Sequence, residues 1–158
     1  CFSKYTVTEF VLKLATKILA KKDSLSQNLQ RAKDKTKEYI DSHLSICTKL
    51  NKPLVMEEFG YPRDGFAFSK KAPTTARDAY YSYVFSLLIA DAAQKGYFAG
   101  CNFWGWGGKA RPKHEQWQPG DDYTGDPAQE AQGLNSVFST DKSTIKIIKA
   151  SIAKLPKN

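Results

Sequence analysis

The 158-residue chain contains no run approaching the ~20 apolar residues that a membrane-spanning helix needs. Its first residues, interrupted by Lys13 and Lys17, make a poor secretory leader. Its three cysteines, Cys1, Cys47 and Cys101, share no metal-binding spacing and form no even-numbered disulfide framework. Cys47 falls on an apolar helical stripe and Cys101 inside a strand, so both read as small core thiols rather than nucleophiles. Neither histidine has a neighbourhood that marks it as a general base, and a serine or cysteine triad has no footing. Internal repeats, low-complexity tracts, RNP sequences and zinc-finger spacings are also missing. The net charge of +8 does not reopen nucleic acid as a partner: residues 1–52 hold 11 Lys and Arg against 5 Asp and Glu, while the remaining 13 and 11 nearly cancel. A basic helix face of this kind is ordinary solvated surface. No nucleic acid, cofactor or metal is expected.

With 41% hydrophobic residues, the chain has material for one core and one domain. Residues 1–23 form an atypical amino-terminal segment, with Val7, Phe10, Val11, Leu14 and Ile18 at helical spacing over 7–19. From Ser24 the pattern strengthens. Ser24 and Gln27 fit a capping box, and Leu25, Leu29, Ala32, Thr36, Tyr39, Ile40, His43, Leu44, Cys47 and Leu50 make one stripe that Asn51 and Pro53 end. Thr75 and Asp78 suggest a second capping box, opening a helix through Tyr80, Tyr81, Val84, Leu87, Leu88 and Ala92 that stops at Gly96. A last helix carries Ile145, Ile148, Ile152 and Leu155 on one face, with Asp141 as its cap. Helices alternating with strands over short connections predict an α/β fold, with parallel strands joined by right-handed crossovers.

Two strands end in chemistry. Lys52-Pro53-Leu54-Val55-Met56-Glu57-Glu58-Phe59-Gly60 is an apolar run closed by two carboxylates, tolerated only at a strand mouth that water and ligand can reach. Strict alternation puts Leu54, Met56 and Glu58 on one face and Val55, Glu57 and Phe59 on the other, so the two acids should point opposite ways. In Gly96 to Gly108 the same rule pairs Asn102 with Trp104, opposite Cys101 and Phe103. A carboxylate level with an indole suits sugar chemistry. The ring packs on the apolar C–H face of a pyranose, and the carboxylate can attack or stabilise a developing oxocarbenium ion. Residues 107–135 have no apolar period, and so long a loop is uncommon unless functional or disordered. It holds Trp117, Tyr123, His114, Asp121, Asp122 and Asp126; the acids miss the spacing of an EF-hand, and a substrate-binding loop is preferred.

On these residues the chain resembles glycoside hydrolase family 5, and within it the bacterial endo-β-1,4-mannanases. Lys52 to Gly60 looks like that family's seventh barrel strand, where the Glu directly before Phe-Gly is the nucleophile, here Glu58. Asn102-Phe103-Trp104-Gly105-Trp106 looks like the eighth strand, whose tryptophan floors the subsite of the sugar to be cleaved, here Trp104. The stretch from Trp117 to Pro127 is similar to the excursion after that strand. The resemblance implies a partial (β/α)8 TIM barrel, covering roughly helix six to helix eight with strands seven and eight, over residues 24–158. It implies a retaining glycosidase acting on plant cell-wall β-mannan, with Glu58 as nucleophile. Trp104, Trp106, Trp117 and Asn102 would contact substrate, with Glu57 and Tyr61 in support. The family's general acid/base, a Glu after Asn on strand four, has no counterpart in this sequence, so the chain alone is expected to be nearly inactive. A secreted or cell-envelope parent enzyme and self-association through open sheet edges are further expectations. Two other readings are a non-catalytic carbohydrate-binding protein using exposed tryptophans, and an α/β domain in which Glu57 and Glu58 merely end a strand.

Overall fold

The computed structural model describes residues 25–69 and 71–156. The expected helix over 7–19, the Ser24 cap and Cys1 lie outside them. Helix α1 (Leu25–Leu50) buries Asn28, Ala32, Thr36 and Ile40, a four-residue repeat that stacks one above another on a helix face. Leu29 and Leu44 pack alongside, whereas Leu50, expected on the same stripe, is exposed because the helix end has run past the core. The helix stops where Asn51 turns to φ +50°. The amides of Asn51 and Lys52 then bond back to Thr48 and Cys47, satisfying end carbonyls before Pro53 forbids continuation.

Strands β1 (Leu54–Phe59) and β2 (Phe98–Phe103) pair in parallel, as the alternation of elements predicts. Helix α2 (Thr75–Ala93) connects them and buries Tyr80, Tyr81, Val84, Phe85 and Leu88. The Phe59 ring lies 4.9 Å from Tyr81 and 5.6 Å from Phe85, forming the centre of the core. A buried bond between the Thr36 and Tyr80 hydroxyls, 2.7 Å long, ties α1 to α2. The expected Thr75–Asp78 box does not form. Instead Asp64, in a short 3₁₀ turn (Asp64–Phe66), accepts the amides of Thr75 and Ala76 at 3.1 and 2.8 Å. Asp78 takes the Thr74 and Thr144 hydroxyls.

The segment read as a loop without period contains order of its own. Strand β3 (Trp106–Gly108) opens it, and β4 (Val137–Phe138) follows it and pairs in parallel with β3. Helix α3 (Lys142–Ile152) packs Ile145 and Ile148 on the core, followed by Leu155, but leaves Ile152 exposed. Asp141 stands at its first cap position without capping it: the carboxylate turns inward to Arg63 and the amide of Phe138. Among the described residues no helix is long and apolar enough to cross a membrane.

Candidate functional site at the strand mouths

The ladder between β1 and β2 matches Met56 with Cys101 and Phe59 with Phe103, so β1 spends one more residue than β2 over the same interval. Such a bulge breaks alternation and re-aims side chains. Met56 and Phe59 are both buried, although strict alternation would separate them, and Val55 is 49% exposed where Phe59 is 1%. Glu57 and Glu58, between the two buried residues, both stay out of the core, Glu57 exposed and Glu58 half-buried. The bulge thus removes the regular alternation on which the expected divergence of the two acids to opposite faces rests. Partial desolvation, and then the neighbouring charge of Glu57, raise the pKa of Glu58 above the ordinary carboxylate range.

Trp104 sits directly after β2, and its amide donates to the Phe59 carbonyl at 2.6 Å, which fixes the indole-bearing residue to the end of the carboxylate strand. Space there is tight. A Cβ on Gly60 would stand 2.8 Å from the Trp104 carbonyl oxygen, so only glycine lets these two backbones approach. Gly105 and Gly125 meet in the same way, each Cβ position falling within 2.8 Å of the other's backbone, and this clamps the excursion onto the mouth. The Trp104 indole N–H is buried without a protein acceptor. On β2, Asn102 is exposed while Cys101 and Phe103 pack on the core, as alternation predicts. Burial pushes the Cys101 thiol up to about 12, which keeps it protonated and unreactive.

The acids of the excursion are structural. Asp126 is buried and accepts the amides of Gly133 and Asn135 and the Ser136 hydroxyl. Asp121 accepts His114 Nδ1 and the Gln118 amide, and Asp122 accepts the Arg111 amide. Among the described residues no group of three or more His, Cys, Asp or Glu side chains could hold a metal. Trp106 is 56% exposed on β3. Trp117 lies farther along the excursion, stacked on Tyr123. Tyr61 is buried against Tyr80 at 5.0 Å, and burial raises its pKa. His43 packs on Tyr39 along α1, far in sequence from the mouth residues.

The feature that sequence reasoning missed is cationic. Arg63 and Arg77 are 1% and 0% exposed. From α2, Arg77 donates to the carbonyls of Tyr61, Ser136 and Leu134 at 2.7 to 2.9 Å, joining the segments after β1 and before β4. Arg63 reaches Asp141 at 2.5 Å. An arginine after Tyr61-Pro62 and another in the first turn of α2 were the available signals, and both look like surface residues in sequence. An open cleft between the first turns of α2 and α3, lined by Thr74, Asp78, Asp141 and Ser143 among others, contains none of the expected site residues.

Residues 16–158 match the family described as GH family 5 beta-mannosidase-like. The chain belongs to glycoside hydrolase family 5. The family 5 mannosidase from Rhizomucor miehei is similar in structure, with 34% identity and a TM-score of 0.73, over 81% of this chain and 32% of that one. Two variants of the same enzyme, each named for a glutamate-to-alanine replacement, also match. One has 32% identity and a TM-score of 0.72; the other, in complex with mannosyl-fructose, has 30% and 0.71, and both matches cover 80% of this chain and 32% of the other. The family 5 chain thus spans about a third of the length of these solved relatives. No curated protein matches it.

Proposed function

We propose that this chain carries the nucleophile half of a retaining, mannan-directed glycosidase site, built from strands seven and eight of a (β/α)8 barrel. The supporting observation is the placement of Glu58 on the bulged mouth of β1, with Trp104 tied to the adjoining carbonyl. In this reading Trp104 floors the subsite of the sugar to be cleaved, Asn102 and Trp106 border it, and partial desolvation followed by the charge of Glu57 raises the pKa of Glu58. The Glu58 carboxylate attacks the anomeric carbon as the leaving oxygen takes a proton from an acid elsewhere in the barrel, the two carboxyls standing roughly 5 to 5.5 Å apart. β-1,4-Mannan of plant cell walls is the substrate, cut internally by a secreted or cell-envelope enzyme, and the chain alone turns it over hardly at all.

A leaving group that needs no proton bypasses the missing acid. A fluorinated β-mannoside carrying dinitrophenolate should lose that group and leave its anomeric carbon esterified to Glu58, a covalent adduct readable by peptide mass spectrometry. The label should vanish in Glu58→Gln. A label on another residue, or none on the folded wild-type chain, sinks the assignment.

A further inference from the structure

Tyr123 is 80% exposed, the most solvent-accessible of the large apolar side chains in the described residues. It is not loose. Its ring stacks on Trp117 with centroids 5.4 Å apart and planes 13° from parallel. Trp117 is half-buried and donates its indole N–H to the Asp121 carbonyl at 3.3 Å. The Asp121 carboxylate is held in turn by His114 and the Gln118 amide, Lys113 bonds the Gly120 carbonyl, and Asp122 holds the Arg111 amide. The short turn from Arg111 to Tyr123 is thus braced at both ends and presents one flat aromatic face outward.

We propose that Tyr123 is a sugar-stacking platform, buttressed by Trp117, that grips a β-linked pyranose chain outside the subsite of the cleaved residue. The proposal rests on the glycan-directed reading above and adds a residue to it. Trp117 has one ring face covered by Tyr123, so the outward face of the pair belongs to the tyrosine. A rigid aromatic face bordered by polar groups suits a pyranose, which offers C–H bonds on its face and hydroxyls at its edge. Bracing also lowers the ordering cost of binding, because the platform exists before the sugar arrives.

The test is calorimetric titration of the 158-residue chain with mannohexaose, using wild type, Tyr123→Ala, Tyr123→Phe and Trp104→Ala. Tyr123→Ala should weaken binding by about tenfold, and Tyr123→Phe should stay within about twofold, since the ring and not the hydroxyl supplies the contact. Equal binding by wild type and Tyr123→Ala, with loss only in Trp104→Ala, overturns the platform and leaves the strand-mouth reading standing. No binding by wild type overturns the platform whatever Glu58 does in the labelling experiment. A tenfold loss in Tyr123→Ala alongside an unlabelled Glu58 upholds the platform and rejects the nucleophile.

Discussion

Asp141 should be among the most costly residues to change, although it lies outside the proposed chemistry. Its side chain is 3% exposed and faces two guanidiniums that are themselves 1% and 0% exposed, Arg63 at 2.5 Å and Arg77 at 3.6 Å. Burial already lowers the pKa of Arg77, a sign that the site holds charge at a cost. Asp141→Asn keeps the shape and removes the counter-charge, leaving two buried cations to repel each other. Loss of one partner from a buried pair costs about 3–5 kcal/mol, a large share of the roughly 5–15 kcal/mol that holds a domain together. Asp141→Ala also orphans the Phe138 amide, now bonded at 2.9 Å, and should lose about 1–3 kcal/mol more. Urea unfolding followed by circular dichroism reads the difference directly. With a slope of about 1–3 kcal/mol per M, the Asn variant should unfold roughly 2 M earlier than wild type. The double change Asp141→Leu with Arg63→Met should recover part of that loss, since Arg63 leaves with its partner and only Arg77, bonded to three carbonyls, stays charged. A midpoint within about 0.5 M of wild type for Asp141→Asn would refute the reasoning.

Gly60→Ala drives a methyl group against the Trp104 carbonyl, a backbone atom that cannot swing aside, and should destabilise by roughly 1–3 kcal/mol; an unchanged unfolding midpoint would count against the close approach. The raised pKa of Glu58 sets a sign for pH. The native state keeps that proton to higher pH than the unfolded chain, so wild-type stability falls as pH rises from the ordinary Glu value through the raised one. Glu58→Gln, which never ionises, should lack that decline and match or exceed wild-type stability above the window, by a small margin because the group is half-exposed. Thermal melts across mildly acidic to neutral pH decide it: a Gln variant that declines in parallel with wild type would show that Glu58 is not the source.

Much of the frame was legible where one physical rule acted alone. The four-residue repeat of α1 and the parallel pairing of β1 with β2 follow from local period and short connections. The bulge was not legible, because alternation assumes a regular ladder and the extra residue appears only when β1 is laid against β2. The α2 cap was misread because its acceptor, Asp64, comes from 11 positions upstream of Thr75 and fits no local signature. Strands β3 and β4 are three and two residues long, too short to carry a period. Arg63 and Arg77 invert the usual rule that charge stays outside, and only their distant partners reveal them. Glu58 and Trp104 were singled out by residue type at strand ends, whereas Tyr123 was only one of several residues named in the long loop until its stack on Trp117 set it apart.

The three carbonyls read by Arg77 divide the rim of the mouth into two kinds of territory. Tyr61, Leu134 and Ser136 are pinned to one guanidinium, so the segments carrying them can change length only if that geometry is rebuilt. The braced turn from Arg111 to Tyr123 supplies none of these three carbonyls; it is held by its own bonds, by the Gln132 amide on the Glu115 carbonyl and by Arg111 on the Ala110 carbonyl. Added residues there cost little, since closure entropy grows only slowly with loop length. The fold has set aside a stretch of chain that can drift in length and sequence while the strand ends hold still.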